Sequence, residues 1–158
     1  MQPRSLSLAR IHVAVVLFGF PGLFGKWLAL SPAAIVLGRV AFAAAALAAV
    51  LAAGRTGFRV ADRRDIARLV LCGLVLALHW TAFFKSVQVS SVAVGLLAYS
   101  SFPVFTAFLE PLLMKERWDP ASLAFALMCV LGVGLIVPRF DLTDAVLRGV
   151  LWGLLAGL

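Results

Sequence analysis

Polar and ionisable side chains are costly inside lipid, so those lying within long apolar runs are the first place to look for chemistry. Along 91–110, Ser91, Gly95, Tyr99, Phe102, Thr106 and Glu110 recur every three or four positions. At about 100° per residue, these six share an arc of roughly 100° on one helix face. The face offers hydroxyls, aromatic rings and a carboxylate, suited to hydrogen-bonding either a small polar solute or a neighbouring helix. Ser101 lies well away from that arc. Pro103 and Pro111 each remove a backbone donor and bend the helix, which points freed carbonyls near Tyr99 toward a cavity. Upstream, Cys72, His79, Phe83 and Ser86 share a second face, and Trp80 and Phe83 flank His79. A histidine at membrane depth can carry a proton or bind a solute, or it can simply donate to a carbonyl of the next helix. Arg39 and Glu110 are the charged groups to explain. Arg39 stands about one and a half turns into its run, and Glu110 lies near a run end, within reach of Lys115 and Arg117. Lys26 and Lys85 also sit near run ends, where their ammonium groups can reach the interface.

Enzyme signatures are missing. The sequence contains no HExxH, GxSxG, Walker loop or phosphate-binding GxGxxG. No acid pair lies mid-run: Asp62 and Asp65, like Asp141 and Asp144, read as solvated loop charges. His12 and His79 are too few and too separated to suggest a metal centre. No catalytic residue, metal site or cofactor is expected, and an intramembrane enzyme is disfavoured.

The elements that must position these residues follow from composition. The chain is 63% hydrophobic and 13% charged, against about 45–50% and about 25% in a soluble domain. That excludes an ordinary soluble domain, a disordered chain and a disulfide scaffold, and leaves the lipid bilayer as solvent. A net charge of +7 would suggest nucleic acid in a soluble protein, but the basic residues fall mainly between apolar runs, so no nucleic-acid partner is expected. The runs cover 11–30, 33–53, 66–88, 92–114 and 123–137, and a sixth opens at 145. Such lengths are helical, since barrel strands need only about 9–11 alternating residues. The first run is too long for a signal peptide, and Lys26-Trp27 stands where a cleavage motif would be expected. The expectation is an all-α polytopic membrane helical bundle, with five transmembrane helices and the beginning of a sixth.

Nine basic residues flank one side of these runs: Arg4, Arg10, Arg55, Arg59, Arg63, Arg64, Arg68, Lys115 and Arg117. Three flank the other: Lys85, Arg139 and Arg148. The positive-inside rule places the N-terminus in the cytoplasm. The organisation expected is a cytoplasmic N-terminus over 1–10, a five-helix unit over 11–137, an external loop over 138–144 and an inward-running segment over 145–158. That segment reaches only about 15 Å into a core of about 30 Å, so the chain reads as part of a longer protein. The alternative is a short interfacial or re-entrant tail. Gly149, Gly153 and Gly157, spaced by four, suit close contact with another helix.

The order of motifs carries a resemblance. Ala82-Phe-Phe-Lys-Ser-Val-Gln-Val-Ser-Ser-Val-Ala-Val-Gly-Leu-Leu is followed by Phe102-Pro-Val-Phe-Thr-Ala107, Leu113-Met-Lys-Glu-Arg117 and Leu131-Gly-Val-Gly-Leu135. With Pro32 and the Gly38-Arg39 pair, this resembles the EamA repeat of the drug/metabolite transporter superfamily, with Lys115 where that pattern usually has glycine. The resemblance implies two inverted five-helix repeats, of which this chain would hold the first and the opening of the second. It implies a multi-pass inner-membrane protein, a secondary transporter that often exports small metabolites or drugs. It also implies a cavity between repeats walled partly by helices 3 and 4. The path candidates are then His79, Trp80, Phe83, Tyr99 and Thr106, with Arg39 and Glu110 as charged groups within the spans. The expected partners are a small-molecule solute, protons as coupling ion, and a second repeat or second copy of the chain. The alternative is a non-transporting membrane scaffold or assembly subunit, in which the polar faces only join helices.

Overall fold

The computed structural model describes residues 4–55, 62–115, 117–137 and 141–158. Thr56, Arg59, Glu116 and Arg139 lie outside the described residues, and with them parts of the basic loop, of the Lys-Glu-Arg motif and of the loop over 138–144. Seven helices account for nearly all the rest: α1 (Arg4–Trp27), α2 (Pro32–Ala53), α3 (Arg63–Val89), α4 (Val92–Tyr99), α5 (Phe102–Met114), α6 (Pro120–Ile136) and α7 (Ala145–Gly157). No strand occurs among the described residues.

Local chemistry sets most of the helix starts. Ser31, Asp62, Ser91, Asp119 and Asp144 each accept one or two backbone N–H groups of the following first turn, which satisfies donors that a helix start leaves orphaned. Pro32 and Pro120 open α2 and α6, where the missing N–H costs nothing. Asp62 and Asp144 are therefore caps rather than free loop charges, and Asp65 pairs with Arg68 at 3.0 Å. Asp119 accepts from the Ser122 hydroxyl, the Ser122 N–H and the Ala121 N–H, and these bonds hold its carboxyl below the usual aspartate range.

α1, α2, α3 and the α4–α5 pair are each long and apolar enough to cross a bilayer. α6, with 17 residues, spans about 25 Å and sits at the lower limit of such lengths. Large apolar side chains face outward all round the bundle: Phe42 is 81% exposed and Leu135 88%. Lipid is the natural solvent for such a surface.

The expectation of one continuous helix over 92–114 is corrected, because the span is two helices broken at Ser100 and Ser101. Pro103 has no N–H to return to Tyr99 O, and its ring crowds that carbonyl, so the helix is interrupted before it and restarts with the proline in its first turn. The chain tightens there instead: Ser101 N donates to Ala98 O at 3.2 Å and Val104 N to Ser101 O at 2.8 Å. Pro111 is accommodated inside α5 without a second break.

α3 is the hub of the bundle. α1, α2, α4 and α7 all pack on it, α7 also lies along α4, and α5 packs mainly with α6. The inner cluster comprises Ile35 and Val36 of α2, Ala82, Phe83, Phe84 and Val87 of α3, and Ala156 of α7. The glycine stripe of α7 faces this hub as expected. A Cβ on Gly153 would sit 2.5 Å from Ala98 Cβ, one on Gly157 would lie 3.1 Å from Ser101 Oγ, and one on Gly149 would collide with Ser90. Three glycines at a spacing of four let two backbones approach to a distance that no larger residue allows.

Candidate functional site: a polar and aromatic seam

The C-terminal half of α3, the short α4 and the whole of α7 form one seam. His79 lies edge-on to Tyr99 with ring centroids 5.3 Å apart, and Phe83 to Tyr99 at 5.8 Å. Trp80 meets His79 at 5.7 Å and Phe83 at 6.0 Å, and it stacks on Phe84 at 5.9 Å. Tyr99 continues to Phe102 at 5.9 Å across the break. These edge-to-face and offset contacts are the geometries that aromatic rings prefer. On the far side, the Arg39 guanidinium lies over the Trp80 ring, 4.2 Å from its centroid. Five of the seven residues singled out from the sequence (Arg39, His79, Trp80, Phe83 and Tyr99) thus form one connected array from three helices.

Most hydroxyl and imidazole groups of the seam are used by the protein itself. His79 Nδ1 is 2.6 Å from Ala156 O of α7. A carbonyl only accepts, so Nδ1 carries the proton. Of the roles open to His79 in the sequence, this one joins helices. Ser86 Oγ donates to Gly149 O at 2.6 Å, Ser90 Oγ to Ser86 O at 2.7 Å and Ser101 Oγ to Ala98 O at 2.7 Å. Tyr99 differs: it is half-buried, and its hydroxyl has no hydrogen-bond partner among the described residues. Cys72, placed on the His79 face by spacing, is exposed and stands apart from the seam.

Thr106 and Glu110 do not join this array. The break at Ser100–Ser101 swings α5 away, and the two residues line a separate groove with Phe102, Ser122, Phe125 and Ala126, between α5 and α6. The Thr106 hydroxyl donates to Phe102 O at 3.1 Å. Glu110 makes no ion pair with Lys115 or Arg117 among the described residues. The carbonyl freed by Pro103 lies against α7: Tyr99 O is 3.1 Å from the position a Cβ on Gly157 would take. Ser101, which spacing sets apart from the polar arc, is buried at 3% exposure beneath the end of α7.

Two features escaped sequence reasoning. Lys26 does more than reach an interface: its Nζ donates to Gln88 O at 3.2 Å and Ser90 O at 2.7 Å, capping the carbonyl end of α3. Gln88 Nε2 returns the link to Leu30 O at 2.8 Å, so the α1–α2 turn and the end of α3 clasp each other. The second is the seat of Arg39 on Trp80. No local signal pairs these two residues, because they belong to different helices.

Comparison with known proteins places this geometry in context. No solved structure matches the chain. A curated Bacillus subtilis (strain 168) protein described as the uncharacterized transporter YxxF is 27% identical over 161 residues, covering 99% of this chain and 52% of that protein. The chain thus spans about half the length of the curated relative it matches. The family model for EamA-like transporters matches residues 7–137, which include every helix of the seam except α7. The chain is a multi-pass membrane protein and belongs to the EamA-like transporter family.

Proposed function

We propose that the complete protein is a secondary transporter that exports a small organic solute across the inner membrane, with its N-terminus in the cytoplasm. Family membership supports the transporter class, and the half-length match supports a need for a second repeat or a second copy of this chain. No nucleotide-binding motif is present, so the driving force in this reading is a proton gradient. The path runs along the seam, past His79, Trp80, Phe83 and Tyr99, and leaves aside Thr106, which lines the separate groove between α5 and α6. The observation that carries the reading is the hydroxyl of half-buried Tyr99, which has no hydrogen-bond partner among the described residues and which a solute can satisfy.

The test is counterflow of a panel of small metabolites in liposomes containing the complete protein. Tyr99→Phe should lower transport about threefold to tenfold, the worth of one hydrogen bond, with folded yield nearly unchanged. The Thr106 hydroxyl bonds to Phe102 O in the separate groove, so Thr106→Val should have little effect. Ser101 is unsuitable as a control because it is buried against α7. Ser100 is exposed and bonds only within its own helix, so Ser100→Ala is the control and should leave transport intact. Loss of folded yield without loss of specific transport would make the seam packing and put the path elsewhere. Absence of counterflow for every solute would favour the second reading, a non-transporting scaffold. The bonds His79–Ala156 and Ser86–Gly149 speak for that reading, because both join helices.

A further inference from the structure

Arg39 is a guanidinium within a membrane span, with no carboxylate beside it among the described residues. Among the described residues it has neither an ion pair nor a hydrogen bond. It lies about two turns into α2, counted from Pro32. A snorkelling arginine stretches its head to the interface. Here the head lies instead over Trp80, which stands about nine residues, or about 13 Å, short of the end of α3 at Val89. That end of α3 is held beside the start of α2 by the Gln88–Leu30 bond, so both helices place the guanidinium below the bundle rim. Trp80 and Phe84 stack on one another and hold the charge over their rings, with its central carbon 4.2 and 5.6 Å from their centroids. Ring contacts of this kind use no N–H group, and the guanidinium N–H groups, unbonded among the described residues, form the fork that matches a carboxylate.

The space beside the fork is built of apolar groups. An open-sided chamber of about 280 Å³ lies between α2 and α3, lined by Val36, Val40, Ala43, Leu76 and Ala77, with Gly73 on its wall. A Cβ on Gly73 would meet nothing within 4 Å, so the glycine leaves room there. One fixed cation beside an apolar chamber is the arrangement that recognises a small organic anion.

We propose that Arg39 is the anchor of a binding site for a solute bearing a carboxylate and an apolar body. The carboxylate pairs with the guanidinium edge, and the apolar body occupies the chamber between α2 and α3. This deepens the transporter reading, on which it rests for the bound solute being also the transported one.

The probes are N-acetyl-leucine and N-acetyl-leucinamide, which share one shape and differ in charge. Binding is read by thermal stabilisation of the complete protein in detergent, since a ligand of the folded state raises its stability. The acid should stabilise the protein and the neutral amide should not. Arg39→Gln should weaken the acid about tenfold to a hundredfold, the worth of a charge-assisted bond. Arg39→Lys should recover part of that loss. Gly73→Val, which fills the chamber without touching the charge, should also weaken the acid and guards against a folding defect in the Arg39 variants. Equal stabilisation by acid and amide would overturn the proposal, as would unchanged acid binding in well-folded Arg39→Gln. A response of Arg39 to added phosphatidylglycerol alone, with none to the acid, would assign the guanidinium to lipid phosphate and overturn it too. The two readings fail separately. Acid binding through Arg39 without counterflow of any solute would remove transport and leave the site. Counterflow indifferent to Arg39→Gln would remove the site and leave transport.

Discussion

At the scale of single residues, the seam divides into groups that hold the bundle together and groups left open. Ser86 belongs to the first. Its hydroxyl is fully buried and serves Gly149 O at 2.6 Å. Ser86→Ala should remove this bond between helices and destabilise the protein by about 0.5–2 kcal/mol, the range for one bond between membrane helices. Denaturant unfolding in detergent measures this, and an unchanged midpoint would show that the bond contributes nothing net. Asp119 gives a pH dependence of known sign. Hydrogen bonds from Ser122 and Ala121 hold its carboxyl below the ordinary range, so the ionised form is favoured in the folded state. Its stabilisation is therefore complete at neutral pH and is lost progressively as pH falls below the usual aspartate value of about 4 toward its lower folded value. Thermal unfolding followed from neutral pH down to about 3 should show this acid limb in the parent, and Asp119→Asn should flatten it. A limb of equal depth in both proteins would assign the acid sensitivity to other groups.

At the scale of elements, two devices decide the shape of the seam. One is the break at Ser100 and Ser101, which turns a single span into α4 and α5 and separates Tyr99 from Thr106 and Glu110. The other is the close contact of α7 with α3 and α4, which its three glycines permit. Gly153→Val would force a side chain into Ala98, whose Cβ leaves only 2.5 Å for a new Cβ. Overpacking of this kind typically costs about 1–3 kcal/mol, so the unfolding midpoint should drop clearly. Gly132 in α6 is the control, since a Cβ there meets nothing within 4 Å, and Gly132→Ala should leave the midpoint unchanged or slightly raised. Equal effects of the two substitutions would mean that α7 does not depend on close approach.

At the scale of the whole molecule, the apolar exterior and the run of spanning helices set the bundle in a membrane, and the distribution of basic residues argues its orientation. Thr143 stands in the loop over 138–144 that the charge bias puts outside, and Thr56 stands in the basic loop it puts inside. With Cys72 and Cys129 replaced by alanine, a cysteine at Thr143 should react in intact cells with a membrane-impermeant maleimide, and one at Thr56 should not. The opposite pattern would invert the topology and, with it, the direction of every path argued from it.

The sequence by itself determined the spans, their class and most of their boundaries. Run length in lipid is a local quantity, and so are the caps: Asp62, Asp119 and Asp144 act on N–H groups two or three residues away. The contact face of α7 was also legible, because a glycine spacing of four describes one helix alone. Tertiary structure decided what the polar residues do. A helical arc says which side chains share a face but not what lies opposite, and it assumes a straight helix. Pro103 ends that assumption within the span, so one predicted face became two sites. His79 was assigned by a carbonyl in α7, and Lys26 by the carbonyls that end α3. Arg39 was assigned by an indole on another helix. Each partner is remote in sequence, and hydrogen bonds and ring contacts act only over a few ångströms. Until the fold brings the helices together, spacing holds no record of those pairings.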